Sequence, residues 1–169
     1  MHTYEVFSIL DKLYSKFGSS EFGRASQILL GFSFINSGYE VPIMQLSGRP
    51  DIVARKGKNS FIVEVKTSNS SVIRLKKEDL QGINGAQGSK PVIAVLSYPD
   101  VEIHWILADA ARLRAGDYSK SSLKILGMKD IECEVNEQFF SVIEKHQSSM
   151  MLGTNLLLKV FREEQAKAL

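Results

Sequence analysis

The sequence predicts an α/β (α+β) domain with a central mixed β-sheet flanked by helices. Three observations carry that expectation. Apolar residues at helical spacing open the chain. The middle is rich in short apolar, β-branched runs separated by turn residues. Helical spacing returns at the end, so the order runs α, α, a β-rich middle, α, β, β, then α.

Residues 2–17 place Val6, Phe7, Leu10, Leu13, Tyr14 and Phe17 on one helical face. Gly18 is the expected stop, with Ser19 or Ser20 capping a second helix over 20–37. Phe22, Ala25, Ile28, Leu29, Phe32 and Ile35 share one side of that helix, and "NSGYE" ends it. Strands are expected at 39–45, 51–56 and 60–67, the last two joined by the "KGKN" turn. "LKKEDLQGIN" reads as a short helix, and "KPVIAVLSY" and "VEIHWIL" as two strands around a Pro-Asp turn. "ADAARLRAG" suits one or two helical turns. Residues 116–135 show no single period; a strand is expected at 130–135, then a helix over 137–147 capped by Asn136. The last stretch, "NLLLKVFREEQAKAL", is helical, with Leu156, Leu157, Val160 and Phe161 on one face.

The 169 residues suit one domain, and 44% hydrophobic with 24% charged residues is ordinary for a globular chain. No run approaches the roughly 20 apolar residues of a membrane span. The start, "MHTYEVFSILDK", lacks the basic region of a signal peptide. The single cysteine, Cys133, excludes an internal disulfide and fits a reducing compartment, hence the cytoplasm. With three scattered histidines besides, no zinc-type ligand cluster is formed. The net charge of +2 is uneven: nine Lys or Arg face four Asp or Glu between Arg49 and Lys90, a basic middle compatible with a polyanion.

"GRPDIVARKGKNSFIVEVKTS" poses the functional question, because strands bury apolar side chains and this hairpin carries Asp51, Glu64 and Lys66. A turn at "KGKN" lays the strands antiparallel and brings the two carboxylates together. Held close, they repel unless a cation joins them. Mg²⁺ takes hard oxygen ligands, commonly one or two carboxylates with water and phosphate. Glu64 and Lys66 are two apart and face one side; Val65 faces the other and leaves its carbonyl near the site. An ammonium beside two carboxylates and a metal can orient an attacking water and offset charge on a phosphorane. This is a constellation for cleaving phosphodiesters.

These residues resemble the core motif of the PD-(D/E)XK nuclease superfamily, with Pro50-Asp51 as the first half and Glu64-Val65-Lys66 as the second. Upstream, "GSSEFGRASQILLGFSFINSGYEV" looks like the family's first helix, which often carries a glutamate near its start; Glu21 matches that position. Downstream, "VIRLKKEDLQGINGAQGSKPVIAVLS" followed by "IHWILAD" is similar to archaeal Holliday junction resolvases. The resemblance covers about residues 18–108 and leaves 1–17 and 109–169 as helical extensions of a single domain.

The resemblance implies a restriction-endonuclease-like fold and a metal-dependent DNA endonuclease. Asp51 and Glu64 hold Mg²⁺, for which Mn²⁺ can substitute, with the Val65 carbonyl as a further ligand. Lys66 orients the water, and Glu21 assists the metal or its hydration shell. Ser47 and Arg49 either touch phosphate or only make the turn, and Lys76 and Lys77 are phosphate contacts or ordinary surface lysines. Gln81 is a candidate water or backbone positioner. The leading substrate is branched DNA such as a four-way junction, cut by a homodimer whose interface draws on the N- or C-terminal helix. The alternatives are a restriction- or homing-type enzyme on linear duplex, or a silent DNA-binding module. Intact Asp51, Glu64 and Lys66 argue against the last. "GINGAQGSK" lacks phosphate-loop spacing and is read as a turn. Adjacent His104 and Trp105 point to opposite faces, so Trp105 is read as core rather than as a base platform.

Overall fold

Strands β2 (Ile52–Lys56) and β3 (Asn59–Lys66) form the expected hairpin, with Lys56 paired to Asn59 across the turn. Gly57 opens that turn at φ 59°, the positive value that tight hairpin turns require of their first central residue. The computed structural model describes all residues 1–169. Around the hairpin, β1 (Glu40–Met44), β5 (Lys90–Ser97) and β6 (His104–Asp109) complete a five-stranded sheet of order β1-β2-β3-β5-β6. Only β3 and β5 run parallel; the other pairs are antiparallel, so the sheet is mixed as expected.

Helix α1 (Thr3–Asn36) runs along one face with α4 (Lys129–Leu152) and α5 (Thr154–Ala168). The expected stop at Gly18 is a kink: this residue alone in α1 leaves helical geometry, at φ 80° and ψ 176°. Glycine reaches that conformation without a Cβ clash. The helical face buries a core of 32 residues, including Phe32, Phe34, Trp105 and Phe139. The opposite face carries a core of only 13, centred on Val53, Ile62, Ile93 and Ile106. It is covered by β4 (Val72–Leu75), α2 (Lys77–Gln81), β7 (Gly116–Ser119) and α3 (Lys120–Ile125). The pair β4-β7 is a separate small antiparallel sheet that the sequence reading did not foresee. A 3₁₀ turn at Ala110–Arg112 takes the place of the helical turns expected after β6.

Two expectations fail in one region. No strand forms at 130–135, and Asn136 caps nothing, because both lie inside α4. Ile131, Cys133 and Val135 alternate as in a strand, yet Ile131, Val135 and Phe139 also recur every four residues. The polar residues decide between the two periods. Asn136 accepts the Trp105 N–H at 2.6 Å and donates to the Trp105 carbonyl at 2.8 Å. Glu132 accepts the Leu107 N–H at 2.9 Å. The helix thus satisfies the open edge of β6 in place of a sixth strand.

The terminal helices are used internally as well. Val6, Leu10, Leu157 and Phe161 are buried in the chain's own core, while Leu156 stays 37% exposed. No helix is long and apolar enough to cross a membrane.

Candidate active site

The β2-β3 register pairs Ile52 with Val63, and one step further sets Asp51 across from Glu64. Cross-strand partners share a face, as do residues two apart, so Asp51, Glu64 and Lys66 stand together on the side of the smaller core. Val65 packs on the opposite side against the larger core. The Val65 amide N–H donates to Asp51 Oδ2 at 2.7 Å, fixing the carboxylate. The Asp51 carbonyl accepts the Gln45 N–H at 2.9 Å and Gln27 Nε2 at 3.4 Å. Gln27 Nε2 also donates to the Gln45 carbonyl at 2.6 Å, so α1 clamps the loop that leads into Asp51.

Glu64 is only 5% exposed. Its Oε1 accepts from Lys66 Nζ at 3.2 Å, whereas its Oε2 is buried without any hydrogen-bond partner. Lys66 Nζ lies 2.8 Å from Asp79 Oδ1 as well. Asp79, 2% exposed, is the anchor of this corner. Its Oδ1 also meets Arg49 Nη2 at 3.1 Å, and its Oδ2 accepts the Lys76 N–H at 2.8 Å at the start of α2.

Electrostatics separate these carboxylates. Burial pushes Asp51 up to about 6, with the Val65 N–H opposing and Glu64 adding to the rise. Burial likewise raises Glu64, against the pull of Lys66. Burial works against Asp79 too, but the hydrogen bonds from Lys66 and the Lys76 N–H hold it below the usual carboxylate range. Asp79 is therefore a settled anion, whereas Asp51 and Glu64 carry charge that their surroundings do not satisfy.

A hard divalent cation fits that imbalance. The donors are oxygen, and one of them is buried and unpartnered; no three His, Cys, Asp or Glu side chains converge, so two carboxylates would share the ion with water and phosphate. Asp51 and Glu64 could hold the ion, with the Val65 carbonyl, water and phosphate completing its shell. The three residues line an open cleft of about 350 Å³ that also admits Arg24 and Thr67.

Other expected residues stand elsewhere. Glu21 does not line the cleft; its Oε1 is paired with Arg24 at 3.2 Å, one turn along α1. Arg49 turns towards Asp79. Ser47 is exposed in the loop before β2, Lys76 and Lys77 are exposed at the start of α2, and Gln81 is exposed at its end. None of these five lines the carboxylate cleft.

Sequence reasoning missed Asp79, Arg24 and Gln27. Asp79 is the third helical residue of α2, where an acidic side chain reads as an ordinary cap. Ser20, Arg24 and Gln27 form a polar stripe at helical spacing on a mainly apolar helix, which was the available signal.

Comparison with known proteins bears on the same residues. The family model for archaeal Holliday junction resolvases (Hjc) matches residues 44–137, more than half of the chain. The chain belongs to this family. It is thereby a member of the PD-(D/E)XK superfamily and a nuclease, a hydrolase acting on DNA. Asp51, Glu64, Lys66 and Asp79 fall inside the matched span of the resolvase family, whereas Glu21, Arg24 and Gln27 precede it. Among solved structures, the chain is similar to the Holliday junction resolvase Hjc of the archaeal hyperthermophile Archaeoglobus fulgidus. The two share 19% identity at a TM-score of 0.49, covering 61% of this chain and 87% of that one. No curated protein matches the chain.

Proposed function

We propose that this resolvase-family nuclease is a divalent-metal-dependent endonuclease of branched DNA, four-way junctions above all, acting in the cytoplasm as a homodimer. The observation that carries the metal reading is Glu64 Oε2, buried without a partner beside Asp51. Bound Mg²⁺, or Mn²⁺ in its place, would lower the pKa of water and stabilise charge on the phosphoryl oxygens. Asp51, Glu64 and the Val65 carbonyl are the groups that would hold it.

The chain's own residues supply the rest. Lys66 has three N–H donors, of which two meet Glu64 and Asp79; the third remains for the attacking water or a phosphate oxygen. Asp79 fixes the lysine in place through their 2.8 Å contact. Arg24, half-exposed in the cleft, offers a guanidinium to the same phosphate, and Glu21 orients it through their ion pair. Lys76 and Lys77, with Ser47 and Gln81, all exposed, would meet the backbone farther out. A four-way junction has pseudo-twofold symmetry and needs two cuts on opposed strands, so one site per chain calls for a twofold dimer.

Incubation with a four-way junction, a linear duplex and a plasmid tests the proposal. Cleavage of the junction is expected in Mg²⁺ or Mn²⁺, and binding without cleavage in Ca²⁺. Full cleavage in excess EDTA would overturn the metal reading. Equal cleavage of linear duplex and junction would overturn the branched-DNA reading.

A further inference from the structure

A second hollow, of about 180 Å³, opens beside the carboxylate cleft and shares Ser19 and Thr67 with it. Its chemistry is different. The cleft contains Arg24, Asp51, Glu64 and Lys66, whereas the hollow has no charged side chain. Its floor is aromatic: Phe22 and Tyr98 are core residues, 4% and 6% exposed, with ring centres 5.1 Å apart, and Tyr14, half-buried and edge to face with Phe22 at 5.3 Å, offers the open aromatic surface. Its rim is neutral and polar, from Ser19, Thr67 and Asn69. The Asn69 amide is exposed and reaches the Tyr14 hydroxyl only at 3.4 Å, which leaves it free to pair elsewhere.

The kink at Gly18 places this hollow next to the site by turning Ser19 and Phe22 away from the line of the first half of α1. Tyr14, Ser19 and Phe22 all lie before the span matched to the resolvase family. All three belong to α1.

We propose that the hollow receives one unstacked nucleobase of the strand whose scissile phosphate would face Lys66 and a cation held by Asp51 and Glu64. A phosphate would want positive charge, and none is there. A base wants aromatic surface for its π-face and amide or hydroxyl groups for its edge, and both are present. The volume suits a single base and not a pair. Bases at a branch point are the cheapest to unstack, so the pocket would add to junction preference. The inference rests on the branched-DNA reading and deepens it.

A cycle of base removal against side-chain removal tests the pocket. Anisotropy titrations in Ca²⁺ use a synthetic four-way junction with an abasic analogue placed in turn within two nucleotides of the scissile phosphate. For the wild type, one position is expected to weaken binding about tenfold. Tyr14→Ala should weaken binding to the intact junction by a similar factor and then be indifferent to the abasic analogue there. Asn69→Ala, whose side chain is exposed and outside the core, should show a smaller loss with the same indifference, and it serves as well should Tyr14→Ala lose its fold. Losses that multiply at every position, or no position with a loss, would overturn the pocket. The wild-type preference for intact junction over duplex, read in the same titrations, reports separately on the parent reading.

Discussion

Glu64 and Glu132 are both buried glutamates, 5% and 7% exposed, and they differ in what their oxygens meet. Both Glu132 oxygens are partnered, Oε2 by the Leu107 N–H at 2.9 Å and Oε1 by Lys129 at 3.2 Å. Glu64 has Lys66 on one oxygen and nothing on the other. A buried charge is costly unless it is paired and hydrogen-bonded. Glu132 is a joint between α4 and the edge of β6. Glu64 is left with an unfinished set of partners, and its unpartnered oxygen, rather than its burial, distinguishes it.

Mutation should separate the two most clearly in activity. Glu64→Gln is expected to lower single-turnover junction cleavage by about 1,000-fold, the scale of losing a charge-stabilising metal ligand, with the fold intact. Circular dichroism and a quenched cleavage assay check both halves. Glu132→Ala should do the reverse, costing ~2–3 kcal/mol in urea unfolding by orphaning the Leu107 N–H, while the folded fraction cleaves normally.

A smaller effect concerns Asp51, whose folded pKa of about 6 lies above its ordinary 3.8. The native state then binds the proton more tightly than the unfolded chain. That stabilisation is fully present below the ordinary value and is lost as pH rises through about 6. Metal-free Asp51→Asn should therefore be the more stable protein at pH 7.5, by ~1 kcal/mol after allowance for partial exposure, with the gap closing between pH 6 and 4. Burial lowers the pKa of His146, which pulls the opposite way in acid, but it is common to both proteins and cancels in the difference. Mg²⁺ should raise the melting temperature of the wild type more than that of Asp51→Asn.

The difference between the two glutamates also explains what was legible in the sequence. The hairpin, the order of the main strands and the placing of Asp51 opposite Glu64 follow from period-two patterning and one turn, all local in sequence. The 129–136 segment was not legible, because its periods conflict and the arbiters, Glu132 and Asn136, act on a strand some 25 to 31 residues away in the chain. Asp79 was hidden for a similar reason: its neighbours in sequence explain it as a cap, and only the fold brings Lys66 and Arg49 to it. Glu21 shows the converse, a position suggested by resemblance whose side chain is held by Arg24 outside the cleft.

Single-turnover cleavage of a four-way junction by Lys66→Ala at saturating Mg²⁺ tests the account most directly, because Lys66 alone joins the unfinished glutamate to the settled Asp79. The expected result is an intact fold, a retained Mg²⁺-induced rise in melting temperature, retained junction binding in Ca²⁺, and cleavage reduced at least about 100-fold. Cleavage at near the wild-type rate would contradict the assignment of Asp51, Glu64 and Lys66 as the reacting centre.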